Sequence, residues 1–241
     1  MAFEPFMQML RGIQSRRSVG GIGETQNPQQ IAYLRHLQKE MNQEDVMNIN
    51  LNKLNVVVFD IETTGFSPEK GDCILSLGAT KMSGKEIIEN ETFYSLVQYD
   101  KEVSKEIETL TGITTEQVKD APPIIEVLTQ FFKFTQNSTL VAHHANHERS
   151  FLQHFSNKIL RTPFKQRIVD TSFLYKVVEP QIMTMTTLDN LCSHNNIPIE
   201  NRHHALGDAK MTAKIWSIYI ERVQQMGCET LNDVYHRFAR M

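Results

Sequence analysis

Val56-Val57-Val58-Phe59-Asp60-Ile61-Glu62-Thr63-Thr64-Gly65 is the stretch that decides the fold of this chain. Its first four residues form a continuous apolar run, which marks a central strand covered on both faces rather than a strand with one wet side. Residues two apart on a strand point to the same face, so Asp60 and Glu62 present two carboxylates side by side while Ile61 points the other way. Adjacent anions repel, and such a pair persists where a cation sits between them. Oxygen-rich clusters suit Mg2+ or Mn2+ rather than soft metals. Read alone, these residues leave one alternative open, a solvated strand end carrying two chance acids.

Outward from this strand, residues 73–82 and 87–97 read as two more strands joined at the turn-forming Ser83-Gly84, a hairpin added to the first. Helices are expected over 104–110 and 123–134, followed by a short apolar strand at 139–142. Asn146 is a good N-cap, and Phe151, Leu152, Phe155 and Ile159 recur at helical spacing, which predicts a helix over 146–159. Ile168 and Val169 fit a fifth strand. Leu206, Ala209, Ala213, Trp216, Ile220 and Val223 step by three and four and predict a long amphipathic helix ending near Gly227. Strands alternating with helices imply an α/β sandwich around a mixed sheet.

The chain divides into an N-terminal extension over residues 1–53, a core over 54–226 and a helical tail over 227–241. The extension is rich in Gln, Asn and Met, breaks at Gly20, Gly21 and Gly23, and predicts a helix over 28–47. With 241 residues, the chain has room for one sizeable core plus an appendage, so a single catalytic site is expected. Hydrophobic content of 40% and charged content of 22% are those of an ordinary soluble protein. No run approaches the roughly 20 apolar residues of a spanning helix, and no secretory signal is legible, so a cytoplasmic protein without a membrane partner is expected. Cys73, Cys192 and Cys228 are odd in number and widely spaced, which favours reduced thiols.

A net charge of −3 argues against a protein that coats long nucleic acid, a task that needs many phosphate-neutralising cations. It leaves nucleic acid open as a substrate. Residues 149–167 carry Arg149, Lys158, Arg161, Lys165 and Arg167 without an acid, a pattern that suits a solvated helix face at least as well as a phosphate track.

Further motifs follow the acidic pair in one order: Leu110-Thr111-Gly112-Ile113, then Ala142-His143-His144-Ala145-Asn146-His147-Glu148 with Phe151-Leu152, then Asp170-Thr171, then His203-His204-Ala205-Leu206-Gly207-Asp208-Ala209. Over residues 54–226 this ordered set resembles the DEDDh branch of the DEDD exonuclease superfamily, and is similar to the proofreading exonuclease of bacterial replicative polymerase. The resemblance implies an RNase H-like fold, a five-stranded mixed sheet with helices on both faces. It also implies two divalent ions held by four carboxylates, with Asp60 bridging both, Glu62 and Asp208 completing one site, and Glu148 standing where the family has its third acid. His203, five residues before Asp208, takes the position of the general base. By the same resemblance Thr63, Thr64 and Phe66 border the pocket for the terminal nucleotide, and His143 contacts substrate. Leu110 to Ile113 read as structural.

The chemistry asks for the same parts. Phosphodiester hydrolysis needs an activated water, stabilisation of charge on the phosphoryl oxygens and help for the leaving oxygen, and two metals about 3.5–4 Å apart supply all three. A histidine titrating near neutrality can take the proton of the attacking water. Asp208 and Glu148 have a plainer reading as acids in the first turn of a helix, where they favour the helix dipole. Phe66 reads equally as core packing or as a stacking surface for any base.

The third motif departs from the family's pattern at three places. The usual asparagine is His144, the usual aromatic is His147 and the usual aspartate is Glu148. Glutamate keeps the charge and adds a methylene, so lower activity or a preference for Mn2+ is expected. The histidine run invites a zinc reading, but the HExxH order is absent. The function expected is thus a 3′→5′ exonuclease acting on single-stranded DNA or RNA ends and releasing nucleoside monophosphates. The rival is a weakly active or inactive module that kept the fold and binds nucleic acid or a polymerase, and residues 1–53 are the segment expected to recruit a protein partner.

Overall fold

The computed structural model describes residues 28–40, 46–181 and 187–241. The glycine break at 20–23 and part of the helix predicted over 28–47 therefore lie outside the described residues. That helix, α1, is observed over Pro28–Glu40, and Val46–Asn48 forms a separate 3-10 turn.

The sheet has five strands: β1 (Asn55–Thr63), β2 (Ile74–Ser83), β3 (Glu86–Leu96), β4 (Thr139–Ala142) and β5 (Ile168–Asp170), in the order β3-β2-β1-β4-β5. The hairpin is antiparallel, while β4 and β5 join β1 in parallel, so the sheet is mixed as the sequence predicted. Between β3 and β4 run α2 (Lys105–Thr111), α3 (Thr115–Lys119) and α4 (Ile124–Phe134); α5 (Asn146–Phe155) lies between β4 and β5, and α6 (Ser172–Val178) and α7 (Leu188–His194) follow β5. The chain closes with the long α8 (Ala205–Gln225) and α9 (Leu231–Phe238).

Alternation along β1 sorts the two cores. Val56 and Val58 face Trp216, Tyr219 and Ile220 of α8, together with residues of α6, α7 and α9. Val57, Phe59 and Ile61 face the opposite layer, built from α1, α4 and α5. The period of two carries Asp60 and Glu62 to the α8 face. This face is closed tightly because α8 presents Ala205, Ala209 and Ala213, all fully buried, and because Gly78 of β2 pairs with Asp60. Trp216 anchors the helix further along by donating its indole N–H to the Gly84 carbonyl at 3.1 Å. Leu231 and Val234 of α9 belong to the same core, and the backbone of Leu51 donates to Glu229, so the tail packs on the sheet domain.

Several local expectations need correction. Asn146 lies inside α5; the N-cap is Ala145, whose side chain makes no cap bond. The orphan N–H of Ala145 is served instead by Asp170 Oδ2 at 3.0 Å, a distant partner that no local pattern reveals. The helix predicted over 146–159 ends at Phe155 and continues as a wider π turn over Ser156–Leu160. In the motif read as structural, Ile113 is buried with Leu75, Val103 and Val118, but Leu110 is largely exposed. The three cysteines are free thiols, with Cys192 and Cys228 buried. No helix among the described residues is long and apolar enough to cross a membrane.

Candidate active site

The site lies at the carboxyl ends of β1, β4 and β5, where strand order reverses about β1 and open α/β sheets commonly bind ligands. Asp60 and Glu62 come from the end of β1, beside a register shift between Glu62 and Thr63. Asp208 comes from the first turn of α8, brought over β1 by the close approach at Gly78. One carboxylate oxygen from each of Asp60, Glu62 and Asp208 lies within 4.8 Å of the others, a set able to hold a divalent cation. Glu148, from the first turn of α5, is nine-tenths or more buried and close enough to Asp60 and Glu62 to repel both, but falls outside this three-residue group.

Burial and mutual repulsion act together here. Desolvation first, then the neighbouring Glu148, Glu62 and Asp208, hold the Asp60 carboxyl well above its ordinary range. Burial, then Asp208, pushes Glu62 to about 8, and burial, with Asp170 and Glu62 adding to it, pushes Glu148 to about 8. Asp208 is raised less, to about 6, because the Arg202 guanidinium and the backbone N–H of His203 partly offset its burial. Among the described residues, the buried oxygens Asp208 Oδ1 and Glu148 Oε2 find no hydrogen-bond partner. Buried anions with unsatisfied oxygens are costly unless a cation joins them, so the residues present fit divalent ions.

A test on stability follows. Acids whose folded pKa is raised contribute stability that is complete below their unfolded value and lost as pH rises through the folded value. Without metal, thermal stability from these groups should therefore fall between about pH 4 and about pH 8, the window set by Asp208, Glu62 and Glu148. Mn2+ should raise the melting temperature more at the alkaline end than at the acid end, because binding there displaces fewer protons. Melting curves in chelator and in Mn2+ across this range check it; a chelator-treated protein equally stable throughout would refute the electrostatic picture.

His203 precedes α8 with φ of 60°, the left-handed region that a non-glycine residue occupies only at some cost. Burial, and then the adjacent Arg202, hold its imidazole below the ordinary histidine value, so it is neutral near pH 7. His144 also has positive φ, at 55°. His143 is buried, its Nδ1 2.9 Å from the Thr171 hydroxyl and its ring edge-on to His144.

The turn after β1 is pinned by Asp72. Its carboxylate accepts from the Ser67 N–H at 2.9 Å and the Thr64 hydroxyl at 3.3 Å, and a Cβ on Gly65 would stand 2.4 Å from it. The turn thereby presents Phe66, which is 87% exposed and so is not a core residue. Thr63 donates to the Gly65 carbonyl and lies 3.4 Å from His147 Nε2. His147 packs edge-on against both Phe66 and Phe151, and burial lowers its pKa. This histidine, which stands where the family has an aromatic, is thus a wall between the turn and α5.

Sequence reasoning missed Asp72, Asp170 and Arg202. The pairing of Asp170 with Thr171 in the ordered motifs was the available signal for the second. Arg149, counted in the basic run, donates to the carbonyls of Gln166 and Ile168 and is structural.

Fold and site together define the RNase H-like exonuclease fold with an acidic cluster at the carboxyl ends of its strands. The chain belongs to the RNase T exonuclease family, whose model matches residues 57–216. It is 36% identical over 178 residues to a PolC-type DNA polymerase III from Caldanaerobacter subterraneus subsp. tengcongensis, covering 74% of this chain and 12% of the relative. A DNA polymerase III subunit epsilon-like protein from Rhodobacter capsulatus is 34% identical over 187 residues, covering 76% of this chain and 26% of that protein. The chain thus spans only a minor part of either relative. Among solved structures, the nuclease domain of 3'hExo, a DEDDh family member bound to rAMP, matches with a TM-score of 0.64 and 20% identity, over 76% of this chain and 97% of that one. Exonuclease X in complex with 5' overhanging duplex DNA matches with a TM-score of 0.58 and 19% identity, over 76% and 99%. At these identities the structural likeness speaks for the fold alone.

Proposed function

We propose that this protein is a divalent-metal-dependent 3′→5′ exonuclease that releases nucleoside monophosphates from single-stranded DNA or RNA. The observation that carries the proposal is the convergence of Asp60, Glu62 and Asp208 within 4.8 Å, with Glu148 buried beside them. Asp60, Glu62, Glu148 and Asp208 would hold Mg2+ or Mn2+. Bound there, such ions lower the pKa of an attacking water and stabilise charge on the phosphoryl oxygens. His203, held below the ordinary histidine value first by burial, takes the water's proton. Phe66, exposed at the mouth of the site and steadied by His147, offers an aromatic face to the terminal base. Thr63 and Thr64, tied to Gly65 and Asp72, hold the turn that carries it. His143 and His144 would border the terminal nucleotide from the β4 side, and a polymerase or other protein is the proposed partner of residues 1–53.

The test uses 5′-labelled single-stranded DNA and RNA with Mg2+, with Mn2+ and with chelator. A metal-dependent ladder shortening from the 3′ end is expected. Glu148→Asp restores the family's usual acid and is expected to cleave about tenfold faster with Mg2+, while Glu148→Gln falls by a similar factor. Silence of both the natural chain and Glu148→Asp with either metal would leave the binding module as the better account.

A further inference from the structure

One cation already stands among the carboxylates. Arg202, in the turn before α8, donates through Nη1 to Asp208 Oδ2 and through Nε to Asp189 Oδ1 at 2.5 Å, with Asp189 in the first turn of α7. The same Nη1 lies 3.3 Å from His203 Nδ1. The Arg202 and Asp189 side chains are 26% and 46% exposed, against 5% for Asp208, so the outer half of this bridge faces water while the inner half is closed off.

We propose that Arg202 is a displaceable counter-cation, which neutralises Asp208 until a divalent ion arrives and then withdraws onto Asp189. This rests on the metal-dependent reading above. A guanidinium and a divalent ion compete for the same carboxylate and repel each other across a poorly screened site. Of the two anchors of Arg202, only Asp208 belongs to the cluster able to hold a metal; Asp189 does not. Withdrawal therefore breaks the inner bond and keeps the outer one.

The contact with His203 gives the displacement a second consequence. An imidazole that accepts at Nδ1 from Arg202 carries its own proton on Nε2 and has no lone pair free to take another. Departure of the guanidinium returns the Nδ1 lone pair. One movement would thus free both a metal ligand and a proton acceptor, which makes Arg202 a positioning residue.

The test is a Mn2+ titration of the full chain, starting in chelator at one fixed pH and followed by thermal melting. Three proteins are compared: the natural chain, Arg202→Met and Asp189→Asn. In the natural chain Mn2+ raises the melting temperature. Arg202→Met should melt lower without metal, because Asp208 loses its counter-charge, yet reach its metal-stabilised plateau at about tenfold lower Mn2+. Asp189→Asn should shift the titration the opposite way, by several-fold, because Arg202 then keeps Asp208 as its acidic anchor among the described residues. A purely structural bridge would move metal-free stability in both variants without these opposed shifts. Unchanged or weakened Mn2+ binding in Arg202→Met overturns the proposal while leaving the metal site standing. A natural chain that shows no Mn2+ response overturns the metal-dependent reading itself, and this inference with it.

Discussion

Asp60→Asn is expected to cut cleavage about a thousandfold or more and, in the same protein, to raise the melting temperature in chelator. The two effects share one cause. Asp60 is the acid that feels all three of its neighbours, Glu148, Glu62 and Asp208, on top of its own burial. An amide of the same size keeps the packing of β1 and removes one of four crowded acids, so the metal-free protein above about pH 8, where these acids ionise, gains about 1 kcal/mol, or roughly 2–4 °C for a chain of this length. It also removes the carboxylate that neighbours all three other acids, where an ion would bind. Gain of stability with loss of function separates this site from a structural ion-pair network, in which deletion of a member destabilises. Parallel melting curves and labelled-strand digests decide the matter. Cleavage within tenfold of the natural chain, or a lower melting temperature in chelator, would remove Asp60 from the centre of the chemistry.

What the sequence disclosed depended on how local the cause was. The run Val56 to Phe59 foretold a doubly covered strand because apolarity on both faces leaves no other way to be buried, and β1 is that strand. The long helix was legible for the same reason, since its apolar residues repeat along one face. By contrast α6, Ser172–Val178, has aromatic and β-branched residues that suit a strand equally well, and only its packing against α8 and α9 settles it as helix. The carboxylates were found through their order along the chain. Their electrostatics were not, because Glu148 is raised first by a burial that the fold creates and then by Asp170 and Glu62, which lie on β5 and β1. Asp170 also caps α5, Asp72 pins the turn that shows Phe66, and Arg202 bridges two helices. The Asp170 contact appears only once the sheet has brought its carboxyl ends together, and the Asp72 and Arg202 contacts sit in loops that carry no periodic pattern.

Gly78 shows how closely fold and site are joined, and Gly78→Ala is expected to damage both. Gly78 lies opposite Asp60 in the β1–β2 pair, directly under the first turn of α8. A Cβ there would stand 2.1 Å from the Leu206 nitrogen and 2.3 Å from the Ala205 carbonyl carbon. Both are backbone atoms of the turn that delivers Asp208, so no side-chain rotamer can relieve the clash. Either β2 bends away from β1 or the end of α8 lifts off the sheet. Overpacking of this kind costs about 3 kcal/mol or more, which corresponds to roughly 6–12 °C of melting temperature. Lifting α8 also carries Asp208 away from Asp60 and Glu62, so the variant should show a smaller Mn2+-induced rise in melting temperature even well below its own transition. Circular dichroism establishes that the variant is folded, and Mn2+ titration then isolates the second effect. A Gly78→Ala protein that melts within a degree or two of the natural chain and responds fully to Mn2+ would mean that α8 does not lie on β2 as described. The placement of Asp208 beside Asp60 would fall with it, because the same close approach puts both residues in one cluster.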